Sequence, residues 1–167
     1  MKIFTDVLKS VFGSLNENKV RYLVVGGLAV AAHGHPRATG DIDIVVALAP
    51  ENARRAIEAL SKLNYRPAVP VRSELFADRE TRLQWQREKG MLVFQMRTTE
   101  PGDVPVDLFI TEPFNFEQVF PQALLVEVAS GIEVPFVPYE TLLKMKAEAG
   151  RPKDLEDIRI LRQLHDA

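Results

Sequence analysis

The sequence predicts an α/β fold: a mixed, twisted sheet with helices packed on it. Three features predict it. Short runs rich in β-branched and aromatic residues, such as 20–25 (VRYLVV) and 41–46 (DIDIVV), alternate with segments whose apolar residues recur at helical spacing. Glycine and proline punctuate the boundaries between them. The composition is that of a globular protein, 46% apolar and 26% charged over 167 residues. A chain of this length buries roughly two-thirds of its unfolded surface and needs no cross-links to fold.

The elements follow in order. Ile3, Val7, Leu8, Val11, Phe12 and Leu15 form one apolar stripe on an opening helix, which ends at Asn16-Glu17-Asn18. Residues 20–25 read as a buried strand, broken by Gly26-Gly27, and 28–33 as a short helix closed by Gly34 and Pro36. Residues 41–46 make a second strand. Pro50 suits a helix start, and Ala53, Ala56, Ile57, Leu60 and Leu63 give that helix its stripe. Residues 73–89 read as one charge-rich helix with Leu75, Phe76, Leu83 and Trp85 inward, ended by Gly90. Strands are expected over 91–96 and 104–110, with a Pro-Gly turn between them. A hairpin is expected over 124–128 and 132–137 around Ser130-Gly131. Helices over 139–149 and 154–164 close the chain, parted by Gly150-Arg151-Pro152. With no repeat and no linker, a single domain spanning 1–167 is expected, with its core over about 1–137 and C-terminal helices over about 138–167.

Composition narrows function by exclusion. The formal charge is −2, from 21 basic and 23 acidic residues, so no global basic field exists to hold a nucleic acid backbone. The absence of cysteine removes disulfides, thiolate metal sites and cysteine nucleophiles. Apolar runs fall short of the ~20 residues of a membrane span. The N-terminal segment, interrupted by Asp6, lacks the apolar core of a signal peptide. A cytoplasmic location without a membrane partner is the expectation.

The chemistry concentrates in Gly26-Gly27 followed by Asp41-Ile42-Asp43-Ile44, and later in Val106-Asp107-Leu108. Strand side chains alternate faces, so Asp41 and Asp43 point one way and Ile42 and Ile44 the other. Two adjacent carboxylates repel unless a cation sits between them. Their hard oxygens suit Mg²⁺ or Mn²⁺. Asp107 can add a third carboxylate from a neighbouring strand, and three carboxylates can hold two ions for phosphoryl or nucleotidyl transfer. The glycine pair, between strand and helix, lets a phosphate approach the backbone. Singly, a D-x-D is an ordinary edge pair and Gly-Gly a turn; the ordered combination points to a metal site. The site is expected at one sheet edge.

These residues carry a resemblance. The run VVGGLAVAAHGHPRATGDIDIVV resembles motif one of the polymerase-β-like nucleotidyltransferase superfamily, and within it the small AbiEii-type toxin nucleotidyltransferases. The tail LLKMKAEAGRPKDLEDIRIL is similar to that group's closing K-x4-R-x2-D pattern. The resemblance implies a nucleotidyltransferase fold. It also implies transfer of a nucleoside monophosphate from a nucleoside triphosphate to an acceptor hydroxyl, on protein, RNA or a small molecule, with release of pyrophosphate. Asp41, Asp43 and Asp107 would hold two Mg²⁺ or Mn²⁺ ions, and Asp107 would take the proton of the incoming hydroxyl. Gly26 and Gly27 would cradle phosphates, Lys146 would meet the triphosphate, and Arg151 and Asp154 would line the site. A toxin–antitoxin partner is implied. The alternatives are a non-catalytic nucleotide-binding or antitoxin-like protein of the same fold, and an antibiotic nucleotidyltransferase.

The residues themselves leave other readings open. Lys144 and Lys146 differ by about 200° around a helix, so only one can face the site. Asp154 also suits an N-cap, with Asp157 at the third helical position. Arg37 can reach a phosphate or pair with one of the two strand aspartates. His33 reads as a packed, hydrogen-bonded histidine and Trp85 as core. Arg79, Arg82, Arg87 and Lys89 read as a solvated helix face, with an acceptor or RNA surface as the alternative.

Overall fold

The computed structural model describes residues 2–166. Ile3, expected on the first apolar stripe, lies outside the described side chains. The rest of that stripe folds as helix α1 (Lys2–Glu17), burying Val11, Phe12 and Leu15. Strand β1 (Tyr22–Val25) runs directly into helix α2 (Gly26–Ala32), so the glycine pair forms the first turn of the helix rather than a spacer before it. Strand β2 (Ile42–Val46) and helix α3 (Pro50–Ser61) follow. Ala53, Ala56, Ile57 and Leu60 of α3 are buried as their spacing predicts, and α3 packs on α1.

The stretch over 73–89 is two elements, not one. A 3₁₀ turn (Ser73–Ala77) precedes helix α4 (Arg79–Lys89). Asp78 separates them. Its backbone is extended, and its side chain accepts the Thr81 N–H at 3.0 Å, so it caps α4. Arg82 is thereby turned inward, 4% exposed, against the expectation of a solvated face. Trp85 stacks on Phe94 at 5.1 Å and belongs to the core.

Beyond the two-residue strand β3 (Arg66–Pro67) come β4 (Val93–Arg97) and β5 (Val106–Phe109). A short helix α5 (Phe116–Val119), capped by Asn115, was not legible in the pattern. The expected hairpin forms as β6 (Leu124–Ala129) and β7 (Ile132–Phe136). Helices α6 (Tyr139–Ala149) and α7 (Pro152–Asp166) close the chain. Gly150 ends α6 in the left-handed conformation, with φ 62°.

Among the described residues, seven strands form one mixed sheet in the order β3-β4-β5-β2-β1-β7-β6. The β2–β5 and β1–β7 pairs are parallel and the others antiparallel. Ile42 and Ile44, fully buried, pair with Val106 and Leu108. Burying each such side chain contributes roughly 1.5–3 kcal/mol. That burial sets the register, because a one-residue slip would turn every side chain to the wrong face. No helix among the described residues is long and apolar enough to cross a membrane.

Candidate active site

The register that buries Ile42 and Ile44 places Asp43 beside Asp107 on parallel neighbours. The same row continues to Val25 on β1 and Gln95 on β4. Asp41 lies two residues before Asp43, just ahead of β2. Asp41, Asp43 and Asp107 each bring a carboxylate oxygen within 4.8 Å of the others. The trio sits near the N-terminal ends of β2 and β5, in the middle of the sheet. The expectation of a site at a sheet edge is corrected on this point: the acidic strands are central because their apolar faces must be covered.

Asp107 is buried, and its Oδ1 accepts a 2.9 Å hydrogen bond from Gln95 Nε2. Gln95 was missed in the sequence, although it is the one polar residue in an apolar run and its neighbours Phe94 and Met96 are fully buried. Burial pushes the Asp43 carboxyl up to about 7, with the charges of Asp41 and Asp107 adding to it and Lys146 opposing. Burial also raises Asp107, offset in part by the hydrogen bond from Gln95. Asp43 and Asp107 therefore hold a proton more tightly than free carboxylates do, because burial disfavours their charged forms and neighbouring carboxylates add to it.

Both glycines serve this packing. Gly26 has φ +67°, and a Cβ there would lie 2.9 Å from Asp43 Cγ and closer still to its Oδ2. A Cβ on Gly27 would lie 2.8 Å from Thr39 Oγ1 and 3.4 Å from an Arg37 guanidinium nitrogen. The bare backbone thus admits Asp43, Thr39 and Arg37. Thr39, also missed, makes two long contacts from its hydroxyl to Asp41, 3.4 Å to the carbonyl and 3.5 Å to the carboxylate.

The C-terminal residues form a chain of alternating charge. Lys146, 5% exposed, lies 3.0 Å from Asp154 and 3.0 Å from Asp157. Arg151 holds Asp154 through its guanidinium at 2.6 Å. Arg37 holds Asp157 with two 3.0 Å bonds, so its carboxylate partner is on α7 and not on the acidic strand. Asp154 is the third residue of α7, where it accepts the Arg151 N–H at 3.2 Å; the N-cap position is held by Arg151. Burial alone would raise Asp154, but the hydrogen bonds from Arg151 and Lys146 outweigh it and hold the carboxyl at about 2. Asp157, considered only for helix capping, is the link between Arg37 and Lys146. His33 bonds the Val137 carbonyl at 2.8 Å, a packed histidine as its setting predicts.

The sequence model of the AbiEii nucleotidyl transferase toxin, of type IV toxin–antitoxin systems, matches residues 11–167. The chain belongs to this family. It is a nucleotidyltransferase. Solved structures share the fold of this AbiEii-family chain. A Thermotoga maritima protein classed with the nucleotidyltransferases aligns with TM-score 0.58 at 19% identity, over 97% of this chain and 92% of its own. ANT(2")-Ia, solved with adenylyl-2"-tobramycin, aligns with TM-score 0.59 at 18% identity, over 95% of this chain and 87% of its own. A nucleotidyltransferase-like antigenic protein of Paracoccidioides brasiliensis gives 0.58 at 16%, over 98% and 77%. At such identities the likeness is one of fold. A search of the curated proteins finds no match.

Proposed function

We propose that this AbiEii-family enzyme transfers a nucleoside monophosphate from a nucleoside triphosphate to an acceptor hydroxyl, using two Mg²⁺ or Mn²⁺ ions held by Asp41, Asp43 and Asp107. The observation that carries this reading is the convergence of the three carboxylates within 4.8 Å. The donor set fits hard divalent cations: it is all carboxylate oxygen, and Asp43, raised first by burial and then by the charges of Asp41 and Asp107, is a group whose ionised form a cation would favour. Bound there, the ions would neutralise phosphate charge and favour ionisation of the attacking hydroxyl.

The chain's own residues would do the rest. The acceptor oxygen attacks the α-phosphorus in line, and the bond to the α–β bridging oxygen breaks. Pyrophosphate leaves with that electron pair. Asp107, fixed by Gln95, takes the hydroxyl proton. The Gly26-Gly27 backbone faces the phosphates. Arg151, with 58% of its side chain exposed, is best placed of the C-terminal cations to reach them. Lys146 and Asp154 seat Arg151, and Lys146 lends positive potential from below. Arg37, tied to Asp157, holds the 33–41 loop against α7. Membership of a toxin–antitoxin family makes a cognate antitoxin the expected partner, and the cytoplasm remains the expected compartment.

The test is incubation with radiolabelled nucleoside triphosphates, Mg²⁺ and a lysate, followed by separation into protein, RNA and small-molecule pools. Label in one pool, lost with Asp43→Asn, is the expected result. Nucleotide binding with no label in any pool would overturn the transfer reading in favour of a binding protein. The small-molecule pool is included because the ANT(2")-Ia structure shares this fold.

A further inference from the structure

At the opposite end of β2 and β5 from the acidic trio lies a second concavity, of about 360 Å³, lined by Leu48, Arg79, Arg82, Leu83, Ile110, Thr111 and Glu112. Leu48 is five residues beyond Asp43 along the chain, about 17 Å at the ~3.3 Å rise of a strand. The two sites therefore do not share residues or space.

Arg82 is the informative residue. It is 4% exposed, and no carboxylate lies within ion-pair distance of it among the described residues. Its Nε donates to the Ile110 carbonyl at 3.2 Å and its Nη1 to the Phe76 carbonyl at 2.6 Å. Burial lowers its pKa, with Asp78 and Glu112 opposing from a distance. Two neutral carbonyls hold the guanidinium in place but do not cancel its charge. Asp78 and Glu112 compensate it only at longer range and the Phe76 ring lies 5.8 Å from the guanidinium, so the buried charge has no direct ionic partner, which is costly.

The surroundings add to this. Arg79 lies three residues earlier on α4 and so shares the face. Its only ion-pair neighbour among the described residues is Glu80, at a long 3.7 Å with both side chains about three-quarters exposed. Thr111 brings a hydroxyl. Glu112 is the one acid in the lining, and it already accepts the Leu48 N–H at 3.2 Å. Leu48, Leu83 and Ile110 form the apolar part of the lining.

We propose that this cavity binds a phosphomonoester dianion, with Arg82 as the buried anchor and Arg79 closing from the surface. The two guanidiniums outweigh Glu112 and leave the lining net positive, and a tetrahedral group presents a separate oxygen edge to each guanidinium. The volume exceeds a phosphate, leaving room for the ester's organic part against the apolar floor.

Inorganic phosphate is the probe, titrated into the full chain in EDTA at constant ionic strength with chloride as the balancing salt. The expected result is a saturable rise in melting temperature, with ³¹P exchange broadening over the same range. Half-saturation should move at least tenfold higher in Arg79→Gln, whose exposed position spares the fold. Arg82→Lys, which keeps the charge and loses the fork, should weaken binding similarly; should it not fold, Arg79→Gln decides alone. An unsaturable shift, or an unchanged half-saturation in Arg79→Gln, overturns the proposal. So does loss of saturation in Arg151→Gln alone, which would place the phosphate beside the acidic trio.

Discussion

Asp43→Asn removes one negative charge from the trio at nearly constant volume, and it should stabilise the metal-free protein. The Asp43 carboxyl stands at about 7 in the fold against an ordinary 3.8. Its proton is therefore bound more tightly folded than unfolded. The stability linked to that proton is fully present below about pH 4 and is lost as pH rises through 7. A gap of about three units corresponds to about 4 kcal/mol at 1.36 kcal/mol per unit. Sharing of the proton among three acids and residual hydration reduce this to about 2–3 kcal/mol. For a chain of this size that is roughly 5–10 °C in melting temperature. The assay is thermal unfolding from pH 4 to 8.5 in EDTA. Wild type should lose stability across that window, and Asp43→Asn should stay flat through it and melt higher at pH 8. With Mg²⁺ and nucleotide the order should reverse, because the variant lacks a ligand. Parallel pH profiles for the two proteins in EDTA would refute the argument that burial, with the charges of Asp41 and Asp107 added, holds a proton on Asp43.

Gly26→Ala should cost at least about 1–2 kcal/mol in urea titrations, from the left-handed backbone alone, and should abolish transfer by displacing Asp43; wild-type stability would contradict the packing described. Lys146→Met leaves Asp154 and Asp157 short of a cation and should cost about 3 kcal/mol, the scale of a broken buried pair, read by the same titration. Asp154, held at about 2, contributes stability present above about pH 4 and lost as pH falls toward 2, about 2 kcal/mol by the same conversion; in Lys146→Met this acid-limb loss should shrink, measured by unfolding between pH 5 and 2. Gln95→Leu removes the hydrogen bond that favours ionised Asp107, so the acid limb of the transfer rate should move to higher pH, and an unmoved limb would deny Gln95 this role.

Much of the sheet was legible because burial writes period two into a strand. Ile42 and Ile44 alternate with Asp43, and Val106 and Leu108 flank Asp107, so the acids had to share the uncovered face. The same alternation marks Gln95 between Phe94 and Met96, a signal that was present and passed over. The helix over 73–89 went wrong at Asp78 because a helix interior and an N-cap both accept an aspartate in a charged run. Only the turn made there reveals which it is, and that turn alone carried Arg82 into the interior. Helix α5 is four residues long and offers no full period to read.

By itself, then, the sequence determined the chemistry: three carboxylates on apolar strands, a glycine pair, and two separated motifs of one enzyme family. Local rules suffice for this, since facing depends on neighbours one or two residues away. Tertiary structure decided who pairs with whom. Arg37 and Asp157 are 120 residues apart in sequence, yet they make a two-bond ion pair. Lys146 meets two aspartates of the next helix rather than open solvent. Arginine and lysine side chains reach across several ångströms in any direction, so their partners depend on where distant elements come to rest. Gly26 makes the same point from the other side: its identity is read locally as a turn, but what requires it is the carboxylate of Asp43, brought against it by strand pairing.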